Sequence, residues 1–152
     1  MKWFSEDLTK YIQAKEYIDT VIIPLQAFHL SEDNSLKKDA FQREVLSIYA
    51  REIEKELSGR ILLTPTYNYL KFSDIDREVN RLNEWLNDIG NQPFKTVFAM
   101  TFDNSWKKIE KELDCHLLWL PGIKSGNIKS EETLKVIRSQ VEQISELIRS
   151  YW

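Results

Sequence analysis

Thr20-Val-Ile-Ile-Pro-Leu25 is dense in β-branched residues and apolar on both faces, the composition of a strand buried inside a parallel sheet. Three further runs of this kind follow: Arg60-Ile-Leu-Leu-Thr-Pro-Thr66, Lys95-Thr-Val-Phe-Ala-Met-Thr101 and His116-Leu-Leu-Trp-Leu-Pro121. Stretches with helical spacing separate them, so the chain reads αβαβαβαβα. Right-handed crossovers then make all four strands parallel, with helices on both faces. The expected fold class is α/β, a three-layer α/β/α domain over residues 1–152 with a four-stranded parallel sheet, Rossmann-like or flavodoxin-like. Strand order is undetermined, because 2-1-3-4 and 3-2-1-4 obey the same local rules.

Between the strands, Ser5 to Tyr17 predicts a short opening helix capped by Ser5, with Leu8, Tyr11 and Ile12 on one side. Leu36 to Ser58 carries Phe41, Val45, Ile48, Tyr49, Ile53 and Leu57 on one stripe, with Gly59 just past the end. Ser73 and Asp76 match a capping box ahead of Ile75, Val79, Leu82, Leu86 and Ile89. Asp103-Asn104-Ser105 precedes a helix with Trp106, Ile109 and Leu113. Ser130 caps a closing helix whose stripe is Leu134, Ile137, Val141, Ile144, Leu147 and Tyr151. Gln26 to Ser35 is the longest polar connection and a candidate lid. Pro24, Pro65 and Pro121 each lack a ladder donor and tend to mark where strand pairing stops.

A chain of 152 residues is long enough to bury a core without a metal or disulfide staple. With 42% hydrophobic and 30% charged residues, it is expected to be a soluble globule. The formal net charge of -3 disfavours nucleic acid, and acids alternate with bases as in Arg51-Glu52-Ile53-Glu54-Lys55-Glu56, the pattern of a solvated helix face. The single Cys115 makes no internal disulfide and sits where cysteine acts as a small hydrophobe. No segment approaches the ~20 apolar residues of a spanning helix, and the amino-terminal residues lack a signal-peptide core. Membrane insertion is therefore not expected, and the expected location is cytoplasmic.

Ligands of open parallel sheets bind beyond the carboxyl ends of the strands, which directs attention to the four βα connections. They hold the candidate binding residues His29, Tyr67, Asp103, Asn104, Ser105 and Lys124. Asp103-Asn104-Ser105 offers a carboxylate, an amide and a hydroxyl at a helix start, where plain capping is the simpler reading. Gly122-Ile-Lys-Ser-Gly126 joins glycines, a cation and a hydroxyl in a way that suits an anion, but its spacing matches neither a Walker loop nor a dinucleotide fingerprint. His29 with Glu32 or Asp33 could form an acid/base pair, whereas His116 falls at the opposite end of its strand. Two distant histidines and one cysteine do not make a structural zinc site. Phe28, Tyr67, Tyr69, Phe102, Trp106 and Trp119 either stack a planar ligand or belong to the core. No cofactor motif is present and no cofactor is expected.

Ala14-Lys-Glu-Tyr-Ile-Asp-Thr-Val-Ile-Ile-Pro-Leu25, with Met1-Lys-Trp3 and Leu63-Thr-Pro-Thr-Tyr67, resembles the YpiF-like family. This is a domain of unknown function from spore-forming Gram-positive bacteria, and the resemblance covers the whole chain. It implies no catalytic residues to carry over. Genes of the family neighbour those of the menaquinol:cytochrome c reductase, which implies a link to respiratory-complex assembly or regulation.

Two functions compete. One is a non-enzymatic interaction or regulatory module with an unknown protein partner, for which Tyr151-Trp152 on the closing helix are the first surface to consider. The other is a small anionic ligand, a nucleotide for example, held at the strand ends by Asp103, Asn104, Ser105 and Lys124, with His29 as acid or base. Whether the chain is an enzyme is left open by its residues. The deciding observation is whether the carboxyl edge of the sheet opens into a polar pocket or is plugged by Tyr67, Tyr69 and Trp106.

Overall fold

The computed structural model describes residues 1–123 and 126–152. In chain order these form α1 (Ser5–Gln13), a 3-10 turn (Lys15–Tyr17), β1 (Thr20–Phe28), α2 (Asp33–Glu56), β2 (Ile61–Leu63), β3 (Tyr67–Leu70) and α3 (Ile75–Ile89). β4 (Thr96–Thr101), a 3-10 helix (Asn104–Glu112), β5 (His116–Trp119) and α4 (Glu131–Arg149) complete the order. All strand pairs are parallel, in the order β2-β1-β4-β5, with β3 also paired to β1. The three-layer α/β/α expectation holds, and with the second apolar run counted as one strand the undetermined order is 2-1-3-4.

The sheet has five strands because the second apolar run breaks in two. Ile22 pairs with Leu63 and Leu25 pairs with Tyr67, so three steps along β1 face four along the neighbouring chain. One extra residue is accommodated at Thr64-Pro65-Thr66, and pairing then resumes. Tyr67 and Tyr69 thus lie in a strand, not in the connection that sequence reading assigns them. Pro24 sits inside β1 and does not end it. Thr20 donates its N–H to Arg60 on the β2 side, and period-two alternation turns the N–H position of Pro24 toward the same side, where the ladder is interrupted. The missing donor falls where no acceptor waits.

β1 therefore runs on to Phe28 and α2 starts at Asp33, which leaves only a short link where a lid was expected. Other boundaries moved for local reasons. Phe4 is the N-cap of α1 without a side-chain bond, so Ser5 caps nothing. Asp74, whose carboxylate accepts from Asp76 N at 3.1 Å, caps α3, while the Ser73 hydroxyl reaches Glu78 at 2.8 Å. The Trp106 segment has one buried anchor and no continuous apolar stripe, and it winds as a 3-10 helix with non-helical φ at Ile109. On α4 the buried stripe is Ile137, Val141, Ile144 and Ile148, with Leu134, Leu147 and Tyr151 exposed.

Alternation along the central strands distributes the core to two sides. Ile22, Phe98 and Met100 pack with Tyr49 and Ile53 of α2 and Ile144 and Ile148 of α4. Val21, Ile23, Leu25 and Ala99 face α3 and the 3-10 helix on the other side. α1 closes the amino end, where Tyr11 stacks on Phe94 with centroids 5.6 Å apart. Among the described residues, no helix is long and apolar enough to cross a membrane.

Tyr151 and Trp152 pack back on the body. Trp152 Nε1 donates to Thr20 Oγ1 at 2.9 Å, and the Arg60 guanidinium lies 4.1 Å from its ring centroid. Tyr151 rests edge-on against Phe98 at 5.2 Å. Replacing Trp152 with Ala is expected to destabilise the fold by about 1–2 kcal/mol, from one neutral hydrogen bond and one partly exposed cation–π contact. A lower urea midpoint with an unchanged slope would register it.

Candidate functional site

The crossover leaving β1 carries α2 to one face, and the crossover leaving β3 carries α3 to the other. β1 and β4 are adjacent, so their outgoing connections diverge and a crevice opens beyond their carboxyl ends. The crevice is a cleft of about 350 Å³ walled by Gln26 of β1, Asp39 and Gln42 of α2, Lys71 beyond β3, and Asp103 and Ser105 beyond β4. Phe72 and Phe102 add apolar surface. A larger groove of about 820 Å³ runs between α2 and α4, away from the strand ends. Its walls are the solvated charge pattern seen in the sequence, with Glu52 already paired to Lys55 at 3.1 Å, so it lacks convergent polar groups.

On the α3 face the carboxyl edge is plugged. Trp106 is fully buried, its Nε1 donates to Tyr69 OH at 2.8 Å, and Tyr69 donates in turn to Asp103 Oδ2 at 2.6 Å. The rings of Tyr69 and Trp106 meet edge-on at 5.4 Å. Burial first, and then the adjacent Asp103 carboxylate, push the Tyr69 phenol far above its ordinary pKa, which keeps it a neutral donor. Tyr67 is equally buried, donates to Glu78 Oε1 at 2.7 Å, and is raised by desolvation and then by Glu78. It serves the core below the site.

His29 is 6% exposed and follows β1 directly. Its partner is neither Glu32 nor Asp33 at the start of α2 but Asp39, nearly two turns into that helix, with Nε2 to Oδ2 at 2.8 Å. Ser35 Oγ lies 3.1 Å from the same nitrogen, and Nδ1 has no partner among the described residues. Serine, histidine and aspartate thus converge, yet a catalytic triad needs the serine and the aspartate on opposite ring nitrogens. Here both use Nε2, so the aspartate cannot orient the ring for the serine. Lys71 Nζ also binds Asp39 Oδ2, at 2.7 Å. Desolvation, the largest influence, raises the Asp39 pKa, but the bonds and charges of Lys71 and His29 together hold it below the usual carboxylate range.

Asp103 is an N-cap, as the simpler sequence reading has it. Its Oδ1 accepts from Ser105 N at 3.0 Å and from Ser105 Oγ at 2.7 Å. Asn104 is exposed and does not line the cleft. Lys124, with Ser125, lies outside the described residues. The described part of that loop does reach the cleft wall: Gln42 Nε2 donates to Ile123 O, and its Oε1 lies where a Cβ at Gly122 would stand. His116 stands at the amino end of β5, remote from the cleft, as expected.

Sequence reading misses Gln26, Asp39, Gln42 and Lys71. Gln26 carries a usable signal, a polar side chain following an apolar run, but was assigned to a connection. Asp39 and Gln42 look like any solvated positions on a long helix until the crossover brings them over β1. Cys115 lies away from the cleft, and burial pushes its thiol up to about 12, which disfavours the thiolate. Among the described residues, no group of three or more His, Cys, Asp or Glu side chains is placed to hold a metal ion.

Fold and cleft define the class first: a three-layer α/β protein with a parallel sheet and a polar crevice at its switch point. The model of a family described as "Protein of unknown function (DUF2487)" matches residues 9–152, and the chain belongs to that family. It is 34% identical over 107 residues to "Uncharacterized protein YpiF" of Bacillus subtilis (strain 168), across 70% of this chain and 69% of that protein. The YpiF-like resemblance read from the sequence is thereby established. No solved structure gives a significant match.

Proposed function

We propose that this protein is a non-catalytic, regulatory binding module that takes a small polar molecule in the cleft between the carboxyl ends of β1 and β4. The observation that carries this reading is Gln26, a glutamine only 7% exposed in the cleft wall whose single side-chain hydrogen bond among the described residues runs from Nε2 to Ala27 O at 2.6 Å. Its carbonyl oxygen is left to the cleft, an acceptor that a polar ligand can take in place of solvent. The absence of a catalytic role is argued from the same network. Ser105 gives its proton to Asp103, and Ser35 and Asp39 share one nitrogen of His29.

The interaction side of this reading draws on the rim. Phe28 and Leu70 are paired in register and exposed, with exposed Phe72 beside them, so an occupied cleft and an apolar patch share one edge. Nothing in these contacts bears on respiratory-complex assembly, the link implied by family resemblance. A ligand at one hundred times its dissociation constant is expected to stabilise the fold by about 2.7 kcal/mol. A thermal-shift screen spanning nucleotides, sugar phosphates, amines and carboxylates checks this. A flat response across all four classes would remove the small-molecule reading and leave the apolar rim as the functional surface.

A further inference from the structure

Resting on the cleft reading above, we infer that the ligand presents N–H donors on a cationic head, an amine, amidine or guanidine, rather than the anion that Gly122-Ile-Lys-Ser-Gly126 suggests. Hydrogen-bond directions decide the matter. Ala27 O and Ile123 O can only accept, so the glutamines facing them must turn their NH2 ends to those carbonyls. Gln26 is thereby left with its oxygen toward the cleft, while the Gln42 oxygen, buried against Gly122 without a partner among the described residues, adds negative potential. Ser105 has committed its only proton to Asp103, so its oxygen can only accept. Asp39 receives both His29 and Lys71 on Oδ2, which leaves Oδ1 without a protein partner among the described residues.

Lys71, the one side-chain cation among the described wall residues, is paired with Asp39. Two carboxylates, Asp39 and Asp103, therefore stand against a single ammonium, and the described wall is acceptor-rich and net negative. An anion entering would meet a net negative wall among the described residues. A cationic N–H donor would find Gln26 Oε1, Ser105 Oγ and Asp39 Oδ1, with the Phe72 and Phe102 rings as apolar flanks that also favour a cation.

Benzamidine and benzoate share a ring and differ in the sign of the head, and they form the test. In 15N-labelled protein, benzamidine is expected to shift the Gln26 side-chain amide and the Ala27 and Phe102 backbone amides saturably, with benzoate binding at least about tenfold more weakly. Gln26→Met keeps the volume, loses the acceptor, and should weaken benzamidine about tenfold. If that variant does not fold, Asp39→Asn removes a wall charge and should narrow the preference for benzamidine over benzoate. Benzoate binding at these resonances without benzamidine would overturn the ligand class and keep the cleft. Silence from both probes would overturn the class and the cleft together, and benzamidine binding that neither variant changes would remove these residues from the site.

Discussion

Trp106→Ala is expected to lower stability by about 3–5 kcal/mol, the cost of emptying a fully buried indole site in a well-packed core. The loss exceeds that of an aliphatic truncation for two reasons. The indole touches Tyr67 and Tyr69 edge-on, with centroids 6.3 Å and 5.4 Å away, so its removal leaves two phenol rings facing a void. It also donates to Tyr69 OH, the middle of a chain that ends on Asp103, and a buried group left unpaired adds its own penalty. Tyr69→Phe should cost about 1–3 kcal/mol, because it strands both the Trp106 N–H and Asp103 Oδ2. Urea unfolding of the two single variants and the double variant checks this. The double should cost less than the sum of the singles, since each breaks the same chain, and strict additivity would mean that the chain is not cooperative.

Asp19→Asn is expected to lower stability at pH 7 by about 1–3 kcal/mol, with a pH dependence that identifies the cause. Asp19 is buried at the amino end of β1, where Arg60 Nε and NH2 bind its two oxygens at 3.0 Å and 3.1 Å and Thr20 Oγ1 donates to Oδ1 at 3.0 Å. Desolvation pushes the Asp19 pKa up, yet the hydrogen bonds from Arg60 and Thr20 and the charges of Arg60 and Lys95 outweigh it and hold the carboxyl below its ordinary 3.8. A group whose folded pKa is depressed contributes stability that is fully present above the unfolded value and is lost as pH falls through the folded value. The native chain should therefore exceed Asp19→Asn in urea midpoint at pH 7 and pH 5, and the two should converge once the pH drops below the carboxylate range. A gap that persists at the lowest pH would mean that the asparagine perturbs packing instead. Asp39 has the same sign, so Asp39→Asn should lose its deficit over the same acidic window.

Arg60 lies under the Trp152 ring while it clamps Asp19. The end of α4, the start of β1 and the turn before β2 thus form one cluster at the amino edge of the sheet. The carboxyl edge is built differently, with aromatic rings on the α3 face and a polar cleft toward α2. Tyr151 and Trp152 belong to the first of these edges and are engaged on the body.

How much was legible in the residues differs from element to element. Thr20 to Leu25 announced a buried parallel strand because apolar side chains on both faces leave few alternatives. The stripe on α2 was readable for the same reason, since Val45, Tyr49 and Ile53 recur at the helical period. Leu134 and Leu147 were misplaced on α4, because apolar residues adjoin the true stripe and only the packed sheet selects Ile137 and Ile148. A cap within Asp103-Asn104-Ser105 was legible from its position, and the structure assigns it to Asp103. The pairing of His29 with Asp39 was not, because it depends on how a crossover helix sits over the strand it leaves.

Sequence alone determined the class and the parallel direction of the strands, because these follow from local periodicity and the handedness of crossovers. Tertiary structure decided the order 2-1-3-4, the break at Thr64-Pro65-Thr66 that lets Pro24 sit inside β1, and which polar groups meet. Those outcomes depend on contacts between residues far apart in the chain. Gln26, Asp39, Lys71 and Ser105 converge only after α2 and β3 have packed on either side of β1, and no spacing along the chain encodes that convergence.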